Sequence, residues 1–174
     1  MTTNAEPVAR PVDSEAIVAE ILKLRITHVI CVPDTFQKTV IARLAELEVP
    51  RTLIVCTEDE AMGINAGLYI GGANPMMLIQ NNGIHASINT MKAIALDAKV
   101  PTFIVVGQFL RDATKPPEDQ RARAVRLLEP TLDVWGVPYF RLEGPEDIGA
   151  FAQAYERAHE DKGPAVVIVG TPTS

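Results

Sequence analysis

Three things are scarce in this sequence. Aromatic residues number one tryptophan, three tyrosines and five phenylalanines, too few to build stacking platforms for single-stranded nucleic acid. Cysteine occurs twice, at Cys31 and Cys56, with no histidines clustered beside it, which argues against a structural zinc site. Both cysteines lie in apolar, strand-like runs and read as reduced core thiols of a cytoplasmic protein. Long apolar runs are missing: none approaches the ~20 residues that span a bilayer. The opening MTTNAEPVARPV has no apolar segment of the kind a secretory signal needs. A net charge of −6 disfavours a general binder of phosphate backbones and leaves room only for a local basic pocket. Neither a Gly-x-Gly-x-x-Gly nor a Walker-type phosphate loop is present, nor a Gly-x-Ser-x-Gly elbow. There is no internal repeat.

What is there is an ordinary globular chain, 47% apolar over 174 residues, long enough to bury one core. Residues 1–12 are polar with two prolines and read as a flexible arm. Residues 13–174 read as one domain. Asp13 and Ser14 offer an N-cap for a helix running to about Arg25. Apolar strands are expected at Val29–Val32, Leu53–Cys56, Met76–Ile79, Phe103–Val106, Tyr139–Leu142 and Ala165–Val169. Helices are expected over Thr39–Glu46, after Glu58, around Ile88–Leu96, over Arg121–Leu128, and from Pro145 to about Glu160. Between Phe109 and Gln120 the pattern breaks into charges and Pro116-Pro117, which reads as a surface loop or lid that orders on binding. Strands apolar throughout and alternating with helices imply a parallel sheet covered on both faces. The fold class is α/β, a doubly wound, mostly parallel six-stranded sheet with helices on both faces.

Four segments leave the carboxyl ends of the expected strands, where open α/β sheets bind ligands. They are Val32-Pro33-Asp34-Thr35, Thr57-Glu58-Asp59-Glu60, Gln80-Asn81-Asn82-Gly83-Ile84-His85 and Gly107-Gln108. Such a polar rim over an apolar sheet suits a small molecule. Each part also has a plainer explanation. Thr57 and Glu60 have capping-box spacing, Glu58 is either a dipole-favoured surface acid or free for another task, Asp34-Thr35 caps a helix, Asn81-Asn82-Gly83 makes a turn, and His85 is structural. Arg111 and Lys115 either meet an anionic substrate or meet water. Gly63, Gly67 and Gly71 stripe one helix at about 1 kcal/mol each against alanine, so another backbone, of the sheet or of a partner chain, is expected to come close.

The four segments together resemble the pyrimidine-binding domain of thiamine diphosphate-dependent enzymes, above all the two-subunit sulfopyruvate and phosphonopyruvate decarboxylase group. The likeness runs from about Asp13 to Val169. Val32-Pro33-Asp34-Thr35 is similar to the group's Val-Pro-Asp-Ser/Thr turn. Glu58 followed nine residues later by Gly67-Leu68-Tyr69 is similar to the family's glutamate and Gly-Tyr-Ala-like run. Gln80-Asn81-Asn82-Gly83 with Ser87-Ile88-Asn89 resembles Gln-Asn-Ser-Gly and Ser-Ile-Asn. Pro101 through Gly107-Gln108 is similar to the corresponding strand of acetolactate synthase-like members.

The resemblance implies a thiamine diphosphate-binding fold of the pyrimidine type. It implies that Glu58, with Glu60 as the competing register, hydrogen-bonds a ring nitrogen of the cofactor's aminopyrimidine and so promotes deprotonation of the carbon that attacks a 2-oxoacid. Asn82 and Gln108 would join Glu58 in binding the cofactor, and Asp34, Thr35 and His85 would meet the substrate. His85, standing where many relatives have glycine, would serve as a catalytic contact or proton donor. The family's Gly-Asp-Gly diphosphate and Mg2+ motif is absent. The resemblance therefore implies a second, beta subunit carrying the pyrophosphate-binding domain and most of the Mg2+ site. The expected reaction is decarboxylation of a small anionic 2-oxoacid to an aldehyde. The alternatives are acetolactate synthase-like carboligation and a non-catalytic interaction module. No nucleic acid or membrane partner is expected.

Overall fold

The structure is a computed structural model and describes residues 9–174. Six strands form one sheet in the order β2-β1-β3-β4-β6-β5: β1 (His28–Cys31), β2 (Arg51–Ile54), β3 (Pro75–Gln80), β4 (Thr102–Gly107), β5 (Tyr139–Leu142) and β6 (Pro164–Val169). Every pairing is parallel. The doubly wound, six-stranded sheet is therefore present, and it is parallel throughout. Side chains alternate across it. One face sets Val29, Cys31, Leu78, Val105 and Val167 against α1 (Ser14–Lys23), α2 (Lys38–Ala45) and α8 (Ala150–Asp161). The other sets Ile30, Ile79, Ile104 and Ile168 against α3 (Glu58–Ile70) and α7 (Leu128–Trp135). The strands β4 and β6 are buried along their whole length, which is why they read as unbroken apolar runs.

Several element ends differ from the sequence expectation, for local reasons. The edge strand β2 starts two residues early, in register with His28, so Cys56 falls outside it. Cys56 is exposed and only Cys31 is buried; the reading of two core thiols is corrected at position 56. The turn read at Asn81-Asn82-Gly83 is the first turn of α4 (Asn81–Ala86). That helix stops at Ser87, whose hydroxyl donates to the Gly83 carbonyl at 2.7 Å and competes with the backbone ladder. A three-residue helix, α5 (Ile88–Thr90), and a π-helical stretch, Met91–Asp97, follow. The Arg121–Leu128 helix shrinks to α6 (Arg123–Arg126). The helix α7, unforeseen, carries Pro130 as its third residue, within the first turn where proline is tolerated.

Residues 1–8 of the expected arm lie outside the described residues. Residues 9–12 follow the body closely: Ala9 and Val12 are buried, and the Arg10 amide donates to the Glu143 carbonyl at 2.6 Å. The segment Phe109–Gln120 is likewise packed, contrary to the expectation that its charges and prolines would hold it off the body. Pro117 and Gln120 are buried. The Gln120 carboxamide accepts from the Asp112 amide at 2.8 Å and donates to the carbonyls of Asp112 and Lys115 at 2.7 and 3.0 Å. One buried side chain thus closes the loop on itself. Among the described residues, no helix is long and apolar enough to cross a membrane.

Candidate active site

After β1 the chain turns to β2 on one side, and β3 then pairs with β1 on the other. The carboxyl ends of β1 and β3 therefore flank a topological switch point, where the connecting loops part and leave a crevice. The rim here is built from Asp34, the start of α3 and the start of α4, with Gln108 at the end of β4. Hollows of about 220 Å³ beside Phe140, Arg141 and Gln153, and about 400 Å³ between α1 and α2, touch none of these residues.

The three acids of α3 have different surroundings. Thr57 caps the helix, accepting from the Glu60 amide at 3.2 Å, while Glu60 Oε2 accepts from the Cys56 amide at 2.9 Å. This is the capping box that the spacing announced. Asp59 accepts from the Thr90 hydroxyl. Glu58, half-buried, has no hydrogen-bond partner among the described residues. Its carboxylate lies directly over Gly83, where any side chain would overlap it. Glycine at 83 therefore makes the room that Glu58 occupies.

The carboxamides behind the rim form a network. Asp34 is 3% exposed. Its Oδ1 accepts from the Phe36 amide at 3.0 Å and Gln80 Nε2 at 3.3 Å, and its Oδ2 from Gln37 Nε2 at 3.1 Å. Gly107 lies against this carboxylate, and a side chain there would displace it. Burial pushes the Asp34 carboxyl above its usual range, with the three donors pulling against that shift. Asn82 is exposed; its Nδ2 donates to Gln80 Oε1 at 2.9 Å. Asn81 Nδ2 donates to the Phe109 carbonyl at 3.2 Å, tying α4 to the segment after β4. Thr35 is exposed beside this group.

Gln108 is fully buried. Its Oε1 accepts from Arg111, and its Nε2 has no partner among the described residues. Arg111, read from sequence as meeting either substrate or water, is shielded from water: its side chain is 4% exposed and pairs with Glu143 at 2.6 Å. His85 is half-buried, and its Nε2 lies 3.2 Å from the Ala124 carbonyl, so it tethers α6 to α4 and leaves Nδ1 open. The structure thus brings Glu58, Asn82, Gly83 and Asp34 into one connected group, with Gln108 and His85 at its flanks. Sequence reasoning missed Gln37. The one signal for it is its place a helical turn beyond Asp34.

No family model matches the chain. Over 134 residues it is 28% identical to the sulfopyruvate decarboxylase subunit alpha of Methanococcus maripaludis, a match spanning 77% of this chain and 79% of that one. With the same-named subunit of Methanocaldococcus jannaschii, identity is 32% over 90 residues, 52% of each chain. In fold, the chain matches a structure described as a thiamin diphosphate-dependent enzyme from Mycobacterium smegmatis with a TM-score of 0.70 at 20% identity. In sequence the chain is thus similar to sulfopyruvate decarboxylase alpha subunits, and in fold to the M. smegmatis enzyme. The M. smegmatis match covers 95% of this chain and 32% of the solved one.

Proposed function

We propose that this chain is the alpha half of a two-chain, thiamine diphosphate-dependent decarboxylase. Its substrate would be a small 2-oxoacid with a second anionic group, such as sulfopyruvate or phosphonopyruvate, and its products the aldehyde and carbon dioxide. The observation that carries the reading is Glu58: among the described residues it is the one acid of its cluster free of a partner, at the switch-point edge, with space kept for it by Gly83. The rim also fits the cofactor's polar ring in having an unpaired buried donor, Gln108 Nε2.

When bound, thiamine diphosphate supplies the carbon nucleophile and the electron acceptor that decarboxylation of a 2-oxoacid requires. In this reading Glu58 holds the proton shared with a ring nitrogen of the aminopyrimidine. A carboxylate covered by a second chain loses solvation, and that shared proton offsets the loss. Asn82 and Gln108 hold the same ring. Thr35 and the open Nδ1 of His85 are the groups left for the substrate, and Asp34 acts from behind the rim. Magnesium and the diphosphate would be held by the second subunit. The alpha-subunit names of the relatives support a two-chain enzyme.

The test is carbon dioxide release by the chain co-expressed with the product of its neighbouring reading frame. The pair is assayed with thiamine diphosphate and magnesium on sulfopyruvate, phosphonopyruvate, pyruvate and phenylpyruvate. Release that needs both chains and the cofactor, and is fastest on a dianionic acid, is the expected result. Association of the two chains without release on any of the four would refute this substrate class.

A further inference from the structure

We propose that Leu110 is a docking wedge, an outward-facing leucine that seats in an apolar cleft of the second subunit at the edge of the active site. The proposal rests on the two-chain reading above and names a contact through which the chains meet. It is carried by a conflict between the backbone of Leu110 and its side chain.

Four non-glycine residues among those described have a left-handed backbone: Arg25, Lys99, Leu110 and Lys162. Arg25 and Lys99 directly follow the C-caps of α1 and of the π-helical stretch, and Lys162 caps α8. Helices commonly end in this conformation. Leu110 ends no helix. The Arg111 amide donates to the Gln108 carbonyl at 3.0 Å and closes a four-residue turn, in which Leu110, the third residue, has φ of +68°. Phe109 before it is not left-handed. That is the pattern of a type II turn, whose third position calls for glycine or asparagine. A bulky side chain there is strained. Leu110 is nevertheless 64% exposed. An exposed leucine alone is ordinary. Of the nine large apolar side chains exposed among the described residues, however, only this one sits on a left-handed backbone.

The rest of the turn is fastened. Gln108 is fully buried and its Oε1 accepts from Arg111. Arg111 is held in turn by Glu143, just after β5. Phe109 packs edge-on against Phe36 with ring centroids 6.5 Å apart, and its carbonyl accepts from Asn81 Nδ2 at 3.2 Å. With both flanks held, Leu110 cannot relax by turning inward, and with its side chain mostly in water little packing offsets the strain. Asn81 opens α4, whose Gly83 lies under Glu58, so its bond to Phe109 holds the turn against the rim. In the two-chain reading the cofactor's ring lies on this rim and its diphosphate on the second subunit, which must therefore abut this edge. A small dianionic substrate gains nothing from an aliphatic side chain. An apolar cleft gains the whole of its burial.

The experiment pairs thermal melting of this chain alone with calorimetric titration of the second subunit, the product of the neighbouring reading frame. The thiamine diphosphate Kd of the assembled complex is measured beside them. Leu110→Gly suits the turn and removes the wedge. It should melt at the wild-type temperature or up to about 4 °C above it, yet bind the second subunit about tenfold to a hundredfold more weakly. Leu110→Asn, which also tolerates this backbone, should behave alike. Leu110→Met keeps the apolar bulk and should hold subunit affinity within about threefold of wild type. At saturating second subunit, the cofactor's Kd should stay within about twofold of wild type in all three. Unchanged subunit affinity in Leu110→Gly would overturn the wedge. So would a lower melting temperature of the chain alone, which would make Leu110 a packing residue. A loss confined to cofactor affinity would overturn it too, by setting the leucine against the ligand. Failure of the wild-type chains to associate would overturn the two-chain reading together with it.

Discussion

Three consecutive acids at the start of α3 carry the same charge but have different surroundings. Glu60 is spent on the Cys56 amide, so Glu60→Gln should lower stability by about 0.5–1 kcal/mol and leave turnover of the two-chain enzyme near wild type. Glu58→Gln should do the reverse, cutting turnover by about 100-fold or more while the melting temperature of the isolated chain stays put. Turnover that survives Glu58→Gln would move the activating role elsewhere. The two cysteines separate just as clearly. Burial, reinforced by the nearby Asp34 charge, pushes the Cys31 thiol up to about 12, so it stays protonated and covered at any working pH. A thiol reagent at pH 8 should titrate one group, Cys56, in the native chain and two in urea. The Thr57–Glu60 pair was legible because capping is local, three residues end to end. The burial of Asp34 was not, because it depends on Gly107 and Gln80, on strands more than forty residues away in sequence.

Among the elements, α8 shows how packing sets a titration. His159 packs against Tyr155 with ring centroids 4.4 Å apart and planes tilted by 48°, and approaches Tyr69 at 6.1 Å. Burial lowers its pKa. The unfolded chain then binds this proton more readily, so stability falls as pH drops below about 6.5 towards the folded value. The urea midpoint should decline between pH 7.5 and pH 5, and His159→Gln should flatten that decline. An unchanged slope would place the pH sensitivity at another group. At this scale the sequence read well wherever burial made the pattern continuous, as in β3, β4 and β6. It failed at α7, for which no helix was expected and whose first turn holds Pro130, and at Phe109–Gln120. There one glutamine supplies the hydrogen bonds that a run of charges and prolines does not suggest.

For the molecule as a whole, the glycine stripe has a directional meaning. A side chain built at Gly63 or Gly67 would meet nothing within 4 Å. The stripe therefore does not face the sheet, and of the two expectations only the partner-facing one retains a use. Gly67→Leu should leave the isolated chain as stable as wild type or slightly more so, since leucine is the better helix former by up to about 1 kcal/mol. The same change should weaken association with the second chain by about tenfold or more in a sedimentation titration. Unimpaired association would put the interface on another face. The sheet order has a further consequence, for synthesis on the ribosome. Among the described residues the edge strand β5 pairs only with β6, which is made after it. A nascent chain that has emerged only as far as residue 163 holds four strands side by side and a fifth with no neighbour, so the arrival of β6 completes two strands at once.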